Sequence, residues 1–480
     1  MKNIELLEKI KESKVAVLGL GKSNIPLVRF LLELGVTDIT IHDQKPWTEL
    51  GKEAREYNEK GVKFVSGDSY LDKVEGDYIF RTPGIRDDVL SIAAAVENGA
   101  VLTSEMELFF ELTPARVIAI TGSDGKTTTT TLTHLMLDTE LSKKGNGRVF
   151  VGGNIGAPLL PLVGEMTSND YAVVELSSFQ LKTMKYTPYR AAITNISPNH
   201  LDWHTDMDEY IECKKNICKG AGLDRLVTNG ECAETLKIAA NMPSVTLVSS
   251  KKTSFHDICE EGHGKKAIFE CDGELILSDG TLGRVMAKTA DIKLVGRHNL
   301  ENYMTAIALL DGLVSYNSIR KVAVEFGGVE HRMEFVREIN GVKYYNSSID
   351  SSPTRTIAAI SSFGEQKPIL ICGGYDKRVP FDELGHVLCK RAKAVVLTGA
   401  TREAINAAIR RSEFFAESAL TILIKPDFFE AVEAAKKIAA GGDVVVLSPA
   451  CASFDAFRNF EERGAIFKNI INTMAEKGES

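Results

Sequence analysis

The segment VIAITGSDGKTTTTTLTHLM, residues 117–136, runs from apolar residues through a glycine turn with one lysine into a helix-like stretch. A helix amino terminus offers unpaired N–H groups and the positive end of the helix dipole, the physical basis of phosphate binding. Gly122 and Gly125 let phosphate oxygens approach the backbone, Lys126 supplies a charge for β- and γ-phosphates, and the Thr127 hydroxyl suits Mg²⁺. Ser123, Asp124 and Thr128 complete the candidate ATP loop. The general template G-x-x-x-x-G-K-[ST] is met at Gly125-Lys126-Thr127, but its first glycine falls on Ile120. A helix cap in a glycine turn is the plain alternative. The apolar run before the turn and the helical run after it favour a nucleotide site, and the absent glycine argues against an ordinary motor or GTPase.

Three further groups have types that suit such a site. Glu175 ends the apolar run of VVELSSFQL (173–181), and carboxyl ends of strands face the ligand crevice in α/β sheets. His200 follows another strand in NISPNHLDWH (195–204), which makes a metal role compete with ordinary packing. The run DEYIECKKNIC (208–218) is helical in pattern and carries Lys214 and Lys215, a pair that would otherwise be a solvated face. In the first hundred residues, Gly19-Leu20-Gly21 follows a strand and Asp43 ends the next. That pattern invites a dinucleotide reading, but the third glycine of G-x-G-x-x-G is replaced by Asn24.

The elements that must position these groups fall into three α/β blocks. The first has strands in KVAVLGLG (14–21), DITIHD (38–43) and DYIFRTPGI (77–85), and closes on AVLTSEMEL (100–108). The second contains the phosphate turn, YAVVELS (171–177), AAITNIS (191–197), a polar hairpin-and-loop excursion near 249–267, and a closing helix in 295–313. The third has PILICGG (368–374), AVVLTGA (394–400), LTILIK (420–425) and DVVVLSPA (443–450). Alternating strand and helix patterns predict parallel sheets with crossover helices. The expected domains are 1–108, 109–328 and 329–480: a Rossmann-like domain, a central phosphate-loop ATPase domain and a second Rossmann-like domain.

Composition sets the class. A chain of 480 residues, 44% hydrophobic and 25% charged, can build several packed cores. The net charge of −8, with mixed signs, argues against a general nucleic-acid binder. No window approaches a membrane span, and the amino terminus lacks an apolar run of signal-peptide length. Eight scattered cysteines without a CxxC pair read as reduced thiols, so the expected location is the cytoplasm.

The short phosphate turn TGxxGKT, together with GGNIGAP (152–158), VVELSSFQL and LSPACASFDAFRNFEERG (447–464), resembles the Mur ligase family, the ATP-dependent amino-acid ligases of peptidoglycan synthesis. The likeness extends through all three blocks. It implies a monomeric enzyme whose small-molecule partners are UDP-N-acetylmuramoyl-L-alanine and D-glutamate, with ATP and two Mg²⁺ ions. Lys126, Glu175, His200 and Lys214 would be catalytic, and Thr127, Glu175, His200 and Lys214 would hold metal. The family spacing Y-x-x-x-K from Tyr210 selects Lys214, which would be carbamylated, a change that requires a neutral amine. Asn302 would contact adenine and Arg332 the ATP phosphates. The turn at Gly21, Lys22 and Ser23, with Asp43, Thr82, Pro83 and Gly84, would bind the UDP moiety, and Asn154 the muramoyl peptide. Ser351, Lys377, Ser453 and Phe460 would hold glutamate. One stretch departs from the family: where N-D-S-K-A-T-N is usual, the chain reads NSSIDSS (346–352), so Ser347 replaces an aspartate and Ile349 a lysine, and Arg355 is the candidate substitute for the lost charge. L-glutamate or another acceptor, a folylpolyglutamate-type ligase, or a nucleotide-binding regulator without catalysis are the competing readings.

Overall fold

The computed structural model describes residues 2–200, 203–259, 265–294, 296–377 and 379–473. It forms an α/β protein with three sheets in two compact units. One unit comprises Met1–Thr289 with Glu301–Val322, and the other Ala290–Leu300 with Ala323–Ser480.

The first unit holds two sheets. Strands β1 (Lys14–Leu18), β2 (Asp38–Asp43), β3 (Lys63–Ser66), β4 (Tyr78–Arg81) and β5 (Val101–Thr103) are all parallel, in the order β3-β2-β1-β4-β5. The larger sheet contains β6 (Arg116–Thr121), β7 (Val149–Gly153), β8 (Tyr171–Glu175), β9 (Arg190–Ile193), β10 (Arg225–Asn229), β11 (Val245–Ser249), β12 (Lys266–Cys271), β13 (Glu274–Ser278) and β14 (Gly283–Lys288). Its order is β14-β13-β12-β11-β10-β9-β6-β8-β7, parallel as far as β12 and antiparallel through β13 and β14. Parallel strands are buried on both faces, which is why β6 and β8 read as unbroken apolar runs. A single apolar cluster joins Val15, Val17 and Phe80 of the small sheet to Val117, Ala119 and Val174 of the large one.

The second unit holds β15 (Glu334–Ile339), β16 (Val342–Asn346), β17 (Ile369–Cys372), β18 (Ala394–Leu397), β19 (Thr421–Ile424) and β20 (Val444–Leu447), ordered β15-β16-β20-β17-β18-β19. Only the β15–β16 pair is antiparallel. In every sheet the strand order reverses at one place: between β1 and β4, around β6, and between β17 and β20. Crevices at the carboxyl ends of such reversal points are where α/β sheets bind ligands.

Two elements differ from the sequence expectation. The 100–108 stretch leaves the strand at Thr103; Ser104 then caps the helix Glu105–Leu112, its hydroxyl accepting the Glu107 N–H. The 249–267 segment holds a short helix, Phe255–Cys259, and the hairpin begins only after it; residues 260–264 of that stretch lie outside the described residues. The hairpin turns on Asp272-Gly273, with φ of 50° and 81°, and β15–β16 turns on Asn340-Gly341, with φ of 52° and 76°. Both are two-residue turns whose positive φ values match the twist of the strands.

The helix Arg297–Leu309, which carries Asn302, is anchored just past its end. The buried Asp311 carboxylate accepts hydrogen bonds from Arg225 (2.9 Å), Lys266 (2.7 Å) and Arg284 (2.6 Å), on β10, β12 and β14. Burial would raise this carboxyl, but the bonds from Lys266 and Arg284 and the Arg225 charge outweigh it and hold it far below the usual range. Its stabilisation is therefore complete above the ordinary aspartate range and is lost only as pH falls well below it. Asp311→Ala leaves three cations facing an uncompensated site and should cost about 2–3 kcal/mol in urea unfolding near neutral pH, less than a fully buried pair because the cations keep some solvent.

Candidate active site

The loop after β6 is fastened to the end of β9. Ser123 donates its N–H to the Asn195 carbonyl (2.9 Å), Asp124 donates its N–H to Asn195 Oδ1 (2.9 Å), and the Thr194 hydroxyl donates to the Asp124 carbonyl. Glycine is required twice. At Gly122 (φ 148°) a Cβ would stand 1.8 Å from Thr194 Oγ1, and at Gly125 (φ 79°) it would stand 2.3 Å from Asn302 Oδ1. Asn302 thus closes on the loop and also accepts from Thr129 Oγ1 at 3.2 Å. The Ser123 hydroxyl is committed to Ser197 and Tyr210 (2.8 Å), so its side chain builds the loop. Lys126 folds back, Nζ donating to the carbonyls of Gly122 (3.0 Å) and Ser123 (2.8 Å).

Glu175, at the end of β8, is 1% exposed. Its Oε2 accepts the Thr127 hydroxyl at 2.8 Å and its Oε1 accepts Asn154 Nδ2 at 2.8 Å. Lys214 is equally buried and donates from Nζ to the Gly122 carbonyl at 2.8 Å, with the Tyr210 ring centroid 4.6 Å away. Burial first, and the nearby Lys126 charge second, push its amine down to about 7. Lys215 instead pairs with Glu212 at 3.0 Å on the half-exposed face. Six predicted residues, Lys126, Thr127, Asn154, Glu175, Lys214 and Asn302, thereby converge on one loop. His200 stands on the loop after β9 with φ of 55°, exposed, its ring edge-on to Phe179 at 5.1 Å.

The turn after β1 is held by Asp43: its Oδ2 accepts the Leu20 N–H (2.7 Å) and its Oδ1 the Lys45 N–H (2.9 Å). Asn24, where the dinucleotide template wants glycine, donates to the Leu18 and Gly19 carbonyls and ties the helix to the turn. Gly21 and Lys22 are exposed beside it, and Ser23 is the N-cap of the helix Asn24–Leu34. The Thr82-Pro83-Gly84 turn is clamped by residues that sequence reasoning missed. Arg81, 1% exposed, donates to the carbonyls of Pro83 (3.2 Å), Ile85 (2.7 Å) and Phe179 (3.0 Å), and Trp203 Nε1 donates to the Gly84 carbonyl (2.9 Å). An arginine ending the apolar run of β4 was the available signal.

In the second unit, Lys377 Nζ reaches the Ser351 carbonyl at 3.5 Å. Ser453 is buried, and its carbonyl accepts the N–H groups of Ala456 and Phe457. Phe460 opens the helix Phe460–Asn472 and meets the His331 ring edge-on at 5.9 Å. Arg332 pairs with Val329 in a short bridge, and its charge acts on Asp350. In the divergent stretch, Arg355 Nη1 donates to the Ile349 carbonyl at 3.1 Å. Asp350 is buried against the Ser448 hydroxyl (2.8 Å), and burial raises its carboxyl despite the bonds from Ser347 and Ser448.

Oxygen donors such as Thr127 and Glu175 beside a phosphate cradle fit Mg²⁺. Among the described residues no group of three or more His, Cys, Asp or Glu is gathered as a metal cage.

Residues 120–310 match the Mur ligase middle domain, and residues 331–451 match the Mur ligase glutamate ligase domain. The UDP-N-acetylmuramoylalanine–D-glutamate ligase of Acetivibrio thermocellus is 47% identical over 471 residues, 97% of this chain and 98% of that one. The enzyme of the same name from Clostridium novyi is 46% identical over 472 residues, 98% of this chain and 99% of that one. The chain belongs to the Mur ligase family. Among solved structures, the UDP-N-acetylmuramate–alanine ligase MurC of Thermotoga maritima matches with a TM-score of 0.54 at 17% identity, covering 96% of this Mur ligase and 100% of that chain. A UDP-N-acetylmuramoyl-L-alanyl-D-glutamate–2,6-diaminopimelate ligase matches with a TM-score of 0.52 at 17% identity, covering 90% and 86%. At that identity the two structures speak for the fold alone. The middle-domain match contains all six converging residues of this Mur ligase, and no helix among its described residues is long and apolar enough to cross a membrane.

The depressed Lys214 amine has a measurable sign. Between about 7 and the ordinary lysine range the unfolded chain binds the extra proton, so stability should rise with pH across that window, at most by roughly 1.4 kcal/mol per unit. Lys214→Met should flatten this slope in chemical unfolding followed from pH 7 to 10.

Proposed function

We propose that this Mur ligase joins D-glutamate to UDP-N-acetylmuramoyl-L-alanine, converting ATP to ADP and phosphate in peptidoglycan precursor synthesis. The observation that carries the reading is the chain Lys126–loop–Thr127–Glu175–Asn154, with Lys214 buried against the same loop. The named relatives, matched over nearly their whole length, support the choice of substrates.

In this reading Lys126 turns from the loop carbonyls to the β- and γ-phosphates, while the N–H groups at the start of the helix Lys126–Lys144 receive phosphate oxygens. Gly122, Ser123, Asp124, Gly125 and Thr128 line the ATP loop, Asn302 faces adenine, and Arg332 is a further phosphate ligand. Thr127, Glu175, His200 and Lys214 would hold two Mg²⁺ ions, whose chemistry would be charge neutralisation; the γ-phosphoryl group passes from ATP, releasing ADP, to the alanine carboxylate. Lys214, with an amine near 7, is available to take up CO₂ as a carbamate at neutral pH. Gly21, Lys22, Ser23, Asp43, Thr82, Pro83 and Gly84 bind the UDP moiety and Asn154 the muramoyl peptide. Ser351, Lys377, Ser453 and Phe460 hold glutamate, whose amine attacks the acyl phosphate and expels phosphate. The domains are 1–108, 109–328 and 329–480, in a cytoplasmic monomer.

Phosphate release from ATP should require both UDP-N-acetylmuramoyl-L-alanine and D-glutamate, and L-glutamate should not replace the D form. Release without glutamate, or equal rates with both isomers, overturns the assignment. Lys126→Ala should lower kcat by roughly 10²–10³-fold, as for loss of a preorganised charge-stabilising donor. Incubation with ¹³C-bicarbonate should yield a carbamate resonance that disappears in Lys214→Met.

A further inference from the structure

The helix Phe460–Asn472 carries a buried cation that the proposed chemistry does not use. Arg463 is 2% exposed and forms no ion pair among the described residues. Its Nε donates to Ser348 Oγ (3.0 Å), its Nη1 to the Ala452 carbonyl (3.2 Å), and its Nη2 to the carbonyls of Ser348 (2.8 Å) and Cys451 (3.1 Å). Ser348 Oγ passes the connection on, donating to the Phe460 carbonyl at 2.8 Å. The loop after β17 presses on the same group, since a Cβ at Gly374 would lie 3.1 Å from Arg463 Nη1. Loops from the ends of β16, β17 and β20 therefore meet on one guanidinium.

Those three loops, with the first residue of the helix, supply Ser351, Lys377, Ser453 and Phe460. A buried guanidinium hydrogen-bonded to carbonyls and a hydroxyl is a poor device for stability, because its desolvation outweighs the pull of Asp455 and Asp350, neither of which pairs with it directly. It is a good device for geometry: the guanidinium offers donors in a fixed planar fork, and each bond fixes a different backbone segment. We propose that Arg463, relayed through Ser348, is the positioning residue of the glutamate half of the site, setting the spacing of the loops after β16 and β20 and of Phe460. The inference rests on the ligase reading above. Its neighbours are held by main-chain contacts, so a change at Arg463 should alter glutamate capture before it alters anything else.

The test is steady-state kinetics of the full-length enzyme with ATP, UDP-N-acetylmuramoyl-L-alanine and D-glutamate varied separately, alongside thermal unfolding. Arg463→Lys keeps the charge but not the fork and should raise the KM for D-glutamate about tenfold, the scale of a lost charge-assisted hydrogen bond. The other two KM values should stay within about twofold. Ser348→Ala, a smaller change that leaves the arginine in place, should raise the same KM about threefold, as one neutral hydrogen bond would. An unchanged glutamate KM in a folded Ser348→Ala protein, or three KM values rising together with a lowered unfolding midpoint, would refute the positioning role. Absence of glutamate-dependent turnover in the unsubstituted enzyme would instead remove the ligase reading itself.

Discussion

A carboxylate buried to 1% exposure, accepting hydrogen bonds from the Thr127 hydroxyl and the Asn154 amide, is the interaction on which the central site depends. Buried carboxyl groups need hydrogen-bond donors and nearby cations, since isolated buried charges are strongly disfavoured. Lys126 opens the helix after the loop, Lys214 comes from the helix Met207–Lys215, and both donate to loop carbonyls. The two lysines also act on each other, and the Lys126 charge lowers the Lys214 amine. The result is a loop that holds one acidic group and two cations apart. A polyphosphate and a divalent cation would complete that arrangement with opposite charges in the right order.

The remaining ligand loops depend on the same logic at the other two reversal points. Each is fixed largely by side chains that bond backbone groups. Asp43 and Asn24 hold the turn after β1, Arg81 and Trp203 hold the turn after β4, and Arg463 holds the loops after β16 and β20. Backbone anchoring fixes the main chain of these turns without committing the side chains they carry. Arg81 does more, because its bond to the Phe179 carbonyl links the first sheet to the segment following Glu175.

The α/β class and the strands at the reversal points were legible because buried parallel strands are continuous apolar runs. The phosphate loop was legible because its chemistry is local: a turn, a lysine and a threonine in succession. Two of the antiparallel hairpins carried readable signals, Asp272-Gly273 and Asn340-Gly341, which the parallel pattern around them obscured. The Ser104 cap was similarly hidden, since its strand and helix join without a break. Arg81, Trp203 and Arg463 were not legible as anchors. Their roles rest on contacts between positions as distant in sequence as Arg81 and Phe179, or Ser348 and Arg463. The choice between Lys214 and Lys215 needed burial to give it a physical basis: one amine is enclosed and depressed, the other is paired at the surface.

The divergent stretch at 346–352 shows what backbone anchoring permits. Asn346 Nδ2 reaches the ring of His331 and the Glu334 carboxylate, Ser347 Oγ accepts the Met333 N–H, and Ser348 gives its carbonyl to Arg463. None of these contacts uses the side chain at 349, whereas Ser347 also bonds the buried Asp350 carboxyl, a contact that needs a hydroxyl donor. Asp350, bonded to Ser448 as well, supplies the carboxyl of this loop. Arg355 donates to the Ile349 carbonyl and so adds one more main-chain fastening to the same turn. Fastenings of this kind make the shape of a turn depend little on which side chains it carries outward.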